Sequence, residues 1–214
     1  MSLEAQELGG EGGLALSVST LLLAGLVGLG QSDLKRIIAF STASQVSYIV
    51  LGAAGSDIES SLFLLLTHAV YKALLFSAAG VIIHSSANNQ DVRLIGANGF
   101  GLPVTKELFV VSSLALCAFP TTAADYSKDV LIEQLGYSAL ALHQGYWLYA
   151  LAGTFLTGAY SGRLVRLALS SEPRGASTLS QHEPYALVLL LIALLGLLAY
   201  QSGFIFSERP EAAY

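Results

Sequence analysis

The stretch that decides the fold is Ser60–His84, SSLFLLLTHAVYKALLFSAAGVIIH. A hydrocarbon core roughly 30 Å thick is crossed by about 20 apolar residues in a helix, so this run is long enough to span a bilayer. Two residues break its apolar character, His68 and Lys72, one helical turn apart in THAVYKALLF (Thr67–Phe76). Lys72 stands near the middle of the run, with roughly 18 Å of helix on either side at about 1.5 Å per residue. Its side chain is too short to snorkel to either surface. A charge at that depth costs at least ~2.5–3.5 kcal/mol, so the residue must face other polar groups or water. His68 shares its helical face, and histidine gains and loses a proton near neutral pH. Two such groups one turn apart make a step in a proton relay. The competing reading is a structural pair, closed off by serine and threonine hydroxyls and never exchanging a proton.

The rest of the chain repeats the apolar theme. The sequence has 214 residues, 54% of them hydrophobic and 12% charged, with a mean hydropathy of +0.63. Soluble domains carry about 25% charged residues; half that share marks an integral membrane protein. Hydrophobic segments lie at residues 12–30, 36–54, 60–84, 103–119, 121–142, 146–169 and 184–206, joined by short polar connectors. Only helices and closed barrels satisfy their backbone groups in lipid, and runs this continuous do not alternate as barrel strands do. The expected fold class is therefore all-α, a polytopic transmembrane helix bundle. Residues 1–11 read as an exposed acidic segment, 12–206 as the membrane domain and 207–214 as an exposed tail.

Composition also excludes several functions. The net charge of −5 comes largely from the chain ends, among them Glu4, Glu7, Glu11, Glu208 and Glu211. No basic patch suits nucleic acid. Cys117 is alone, which rules out a disulfide framework and the cysteine motifs of iron–sulfur and zinc sites, and leaves a small apolar residue. The acidic, arginine-free start MSLEAQELGGEGG is neither a secretory signal nor a transit peptide. The glycines of GLVGLG (25–30) follow no strand, so helix packing is their expected use.

A second anomaly follows FPTTAADYSKD (119–129). Pro120 lacks an N–H, and Thr121 and Thr122 can bond freed backbone groups, which predicts an interrupted helix around 119–126. Such breaks occur at membrane depth where the backbone is buried in protein or lines a wet cavity. Lys128 then faces the gap, with Asp125 three positions earlier within reach of an ion pair and Asp129 adjoining it. The alternative is a boundary lysine with its carboxylates in water. Lys35 and Arg36 open the second span as interfacial residues behind Asp33, which fits an N-cap. His84 ends the third span, either solvated or extending the His68/Lys72 line. His143, His182 and the loop arginines read as surface. Alternating all seven segments puts Lys35, Arg36, Arg93, Lys106 and Arg209 on one side and Arg163, Arg166 and Arg174 on the other. That division is too even for the positive-inside rule to orient the chain.

Three blocks, DLKRIIAFSTASQVSYIVLG (33–52), LTHAVYKALLFSAAGVIIHSSANNQDVRLIG (66–96) and YSKDVLIE (126–133), resemble in order and spacing the chain 5 family of NADH:ubiquinone oxidoreductase. These are the distal antiporter-like membrane subunits of respiratory complex I. The lysine of THAxxKALLF, joined to IIHS…NNQDxR, resembles chain 5 more than chain 4. The resemblance implies a proton-translocating bundle, here the second inverted repeat of an antiporter-like subunit. In it His68 and Lys72 form the central relay, Lys128 is the terminal lysine on the discontinuous helix beside Asp129, and Lys35 belongs to the DLKR block. It also implies that this chain holds no cofactor; NADH, FMN, the iron–sulfur clusters and ubiquinone are expected in other subunits. The implied partners are the other membrane subunits, including neighbouring chain 4, and membrane lipids. The implied location is the mitochondrial inner membrane, with a bacterial or plastid membrane as the alternative.

Two departures bear on that reading. Family chains are much longer, so a separate chain is expected to carry the first half and to dock along helix faces rich in Ala, Gly and Ser. Asp125 stands where the family has an aromatic residue, and a carboxylate there would attract the Lys128 ammonium. Two other functions fit the residues: a cation/proton antiporter or hydrogenase-linked subunit, and a structural membrane segment that does not pump.

Overall fold

Asp33 and Asp91 set two of the turns of the chain. A computed structural model describes residues 3–54, 58–95, 102–120, 122–137, 141–170, 188–190 and 192–197. Within them α1 (Leu3–Gly30) and α2 (Leu34–Ala54) form a tight antiparallel hairpin. The Asp33 carboxylate accepts the Arg36 N–H at 3.2 Å, capping α2 as the sequence predicts. α3 (Ile58–Ser85) runs back beside α2 and is followed by a four-residue helix, α4 (Val92–Ile95). Asp91 caps α4 through the Arg93 N–H at 3.0 Å and holds the Arg93 guanidinium at 2.6 Å. That hydrogen-bonded guanidinium keeps the Asp91 carboxyl below the usual carboxylate range. The two caps are stitched together, because Leu34 N–H donates to Gln90 O at 2.8 Å and Val92 N–H to Ser32 O at 2.9 Å. The sequence reads residues 85–101 as plain connector. α4 escapes notice there because four residues are too few to show a period, although Val92 and Ile95 are both fully buried.

Next come α5 (Pro103–Leu116), α6 (Ala123–Tyr137) and α7 (Ala141–Val165), the last ending in a wider π-helical turn at Arg166–Ser170. With 14 and 15 residues, α5 and α6 are each only about 21–23 Å long at 1.5 Å per residue, too short to cross alone. They form one interrupted crossing. The break is built by the chain itself. Phe119 N–H bonds Leu114 O at 3.1 Å and Ala118 N–H bonds Ala115 O at 3.0 Å, with Ala118 left-handed at φ 57°. This is the Schellman pattern of helix termination. Thr122 then opens α6: its hydroxyl donates to Phe119 O at 2.8 Å and accepts the Asp125 N–H at 3.3 Å. The interruption thus occupies 117–122, a little before the 119–126 expected.

The shared passage also decides which end α7 reaches. Since the fourth and fifth apolar segments make a single passage, α7 returns to the same end as the start of α2. Arg163, read from sequence as surface, there donates to Leu29 O at 2.5 Å and Gln31 O at 2.7 Å. A cation thereby caps the carbonyl end of α1. Lys35, Arg36, Arg93, Lys106, Arg163 and Arg166 all gather at this end rather than dividing between two faces.

The helices sort into two apolar cores. Ile37, Tyr71, Leu75, Phe109, Leu116 and Leu164 belong to the one at the basic end. Leu14, Leu21, Tyr48, Leu64, Leu131 and Leu135 belong to the one at the far end. Leu194 and Leu195, from the last apolar segment, pack on the first core. Outward positions such as Leu23, Leu62, Leu66 and Phe155 are large, apolar and exposed, as suits a lipid-facing surface. Glycine serves close packing at one of the positions singled out in sequence: a Cβ on Gly25 would meet Leu156 at 3.1 Å. The side chains of residues 1–11, the tail 207–214, His143, His182 and most of segment 184–206 lie outside the described residues.

Candidate functional site

Between the two cores α2, α3, α6 and α7 each pass through a polar interval. On α2 it is Ser41, Ser44, Gln45 and Ser47; on α3, Thr67, His68 and Lys72; on α6, Ser127 and Lys128; on α7, Thr157 and Ser161, all buried. The intervals align because each of these four helices leaves one apolar core and enters the other. The result is a polar layer at mid-membrane, closed above and below by hydrocarbon.

Lys72 is 5% exposed. Its Nζ donates to Ile38 O at 3.1 Å and, in a very short contact, to Ser41 Oγ, both on α2. His68, on the same face one turn back, places Nδ1 3.0 Å from the Tyr71 hydroxyl, with the two rings edge to face at 5.2 Å. Its Nε2 is buried without a hydrogen-bond partner. Lys128 is 1% exposed and its Nζ, also without a hydrogen-bond partner, sits 4.6 Å from the centre of the Tyr48 ring. Tyr48 is anchored from the far side: its hydroxyl donates to Ala150 O at 2.6 Å and lies 3.1 Å from Thr154 Oγ1. The positions immediately before His68 and Lys128 are joined as well, Thr67 Oγ1 lying 3.1 Å from Ser127 Oγ.

The other expected residues are placed differently. No ion pair joins Lys128 to Asp125, which is half-buried at the start of α6; the lysine lies over the ring of Tyr48 instead, and the charge of Asp129 acts on it from the next position. Asp129 and Lys35 are exposed, and so is His84 at the end of α3. Cys117 is half-buried at the C-terminal end of α5.

The α2 side of the site went unrecognised in the sequence. Ser41, Gln45 and Tyr48 recur at i, i+4 and i+7, one stripe of a helix. The first touches Lys72 and the last lies under Lys128. A signal was present in STASQVSYIV, where small polar residues take the positions of an apolar face, but single hydroxyls are common in membrane helices as packing residues.

Comparison with known proteins agrees with this architecture. The profile of the family described as NADH:quinone oxidoreductase/Mrp antiporter, transmembrane, matches residues 13–158. Curated relatives named NADH-ubiquinone oxidoreductase chain 5 include that of Acanthamoeba castellanii, 37% identical over 88% of this chain and 28% of its own length. That of Metridium senile is 42% identical over 71% of this chain and 25% of its own. That of Schizophyllum commune is 38% identical over 90% and 28%. The chain thus spans a little over a quarter of the length of these relatives. Among solved structures, a chain of the membrane-bound sulfane sulfur reductase, an archaeal respiratory membrane complex, superposes with a TM-score of 0.80. It is 21% identical, over 92% of this chain and 40% of that one, a likeness of fold. With more than half its length matched and its helices built to cross a bilayer, the chain belongs to the NADH:quinone oxidoreductase/Mrp antiporter transmembrane family, as a multi-pass inner-membrane protein.

Proposed function

We propose that this chain is a proton-translocating membrane component of a respiratory NADH:ubiquinone oxidoreductase in the mitochondrial inner membrane. The supporting observation is the pair of buried lysines, Lys72 and Lys128, in a polar layer sealed by two apolar cores. A buried lysine faces a desolvation cost that only its neighbours offset, so small changes around it move its proton. Lys72 exchanges a proton with His68 or with the hydroxyl at Ser41, and Lys128 takes it up on α6. Asp125, Asp129 and Lys35 stand at the margins of this path. NADH, FMN, iron–sulfur clusters and ubiquinone act in other subunits, whose quinone reduction drives the transfers.

Replacing Lys72 with Ala in the assembled complex tests the reading. Protons pumped per NADH oxidised should fall, and a wild-type ratio would reduce this chain to scaffolding. Its partners are the other membrane subunits, chain 4 among them, and lipid.

A further inference from the structure

The relay through Lys72, His68 and Lys128 leaves two buried oxygens unused, Gln45 Oε1 and Tyr160 Oη. Neither has a hydrogen-bond partner in the protein, and their residues are 0% and 2% exposed. Gln45 is held in place, because its Nε2 donates to Thr157 Oγ1 on α7 at 3.3 Å. The Tyr160 hydroxyl has Ser41, Gln45 and Thr157 as neighbours. Ser41 is also the group that receives the Lys72 ammonium. Gln45 therefore follows the contact of Lys72 on the α2 stripe that ends at Tyr48 beneath Lys128, and Tyr160 of α7 lies beside it. From Ser41 to Tyr48 that stripe rises ~10 Å along α2.

An amide oxygen and a phenol buried without partners are costly. Buried water bonded to about 2–4 polar groups is the usual remedy. The two oxygens are complementary in that role. Gln45 Oε1 can only accept a hydrogen bond from water, whereas the Tyr160 hydroxyl can both accept and donate.

We propose that Gln45 and Tyr160 are positioning residues that hold water between Lys72 and Lys128, giving protons a route along α2 and α7 beside the one through His68. The inference rests on the proton-transfer reading of the lysines. In the step it describes, the Lys72 ammonium releases a proton to the held water and the Lys128 amine takes one from the far side of that water. The Tyr160 hydroxyl passes on one proton as it receives another, so neither positioning residue changes charge.

The test uses purified, assembled complex in proteoliposomes, comparing Tyr160→Phe and Gln45→Leu with Lys72→Ala and the wild type. Both single variants should lower protons pumped per NADH part of the way to the Lys72→Ala value, and Tyr160→Phe added to Lys72→Ala should cause no further loss. A wild-type ratio in both single variants, with Lys72→Ala lowered, would overturn this route and leave the relay standing. A wild-type ratio in Lys72→Ala would overturn both. An additional loss in the double variant would assign Tyr160 a separate, structural role and also overturn the route. Should Gln45→Leu fail to assemble, Tyr160→Phe removes a single oxygen and decides alone.

Discussion

Lys128 is the residue whose position is hardest to justify by stability. Its ammonium has no hydrogen bond, and it sits over the face of Tyr48 at 4.6 Å. A desolvated cation–π contact is worth about 2 kcal/mol, while burying the ion costs several. Replacing it with Met, of similar length and no charge, should stabilise the assembled complex by ~1–3 kcal/mol. The expected result is a raised unfolding temperature together with reduced pumping per NADH. A lowered unfolding temperature would show the ammonium to be a net stabilising group. That Lys72 and Lys128 are out of place was legible in the sequence, because depth in an apolar run is a local property. What each touches was not. Spacing along α6 offers Asp125, three residues away, whereas the contact made is with Tyr48 on α2, which only the packing of α2 against α6 and α7 brings near.

At the scale of elements, two contacts set how the helices meet. A Cβ on Gly153 of α7 would lie 2.6 Å from Tyr48 Oη and 2.8 Å from Leu21 Cδ2. Gly153→Ala should therefore push α7 off α1 and α2 at a cost of about 1–3 kcal/mol, seen as a lowered unfolding temperature. The bridge between the α2 and α4 caps is pH-dependent. Asp91 has its carboxyl pKa depressed by Arg93, so the stabilisation is fully present above the ordinary carboxylate value near ~4. It is lost as pH falls through the lowered folded value. Exchange of the Leu34 and Val92 amides should quicken in that acid window, and Asp91→Asn should quicken it already at neutral pH. The interrupted helix could be foreseen because Pro120 and the threonines act on their immediate backbone. What hydropathy could not show is the consequence for the end that α7 reaches, since it counts apolar runs and is blind to whether two of them share a passage.

For the whole molecule, that single crossing changes the charge map. Lys35, Arg36, Arg93, Lys106, Arg163 and Arg166 share one end, while Glu59 and Glu133 lie toward the other. Basic residues collect on the side from which a membrane protein is not translocated, so the basic end should face the matrix. Cysteines placed at Lys35 and at Glu59 should react with a membrane-impermeant thiol reagent from opposite sides, Lys35→Cys from the matrix; the reverse pattern would invert the chain. The two apolar cores have a consequence of their own. Each acts as a dry stopper on the layer they enclose, so neither aqueous compartment has an open wire to the buried lysines. Under the transport proposed above, a resting complex of this build should hold back leakage and so preserve a voltage across the membrane.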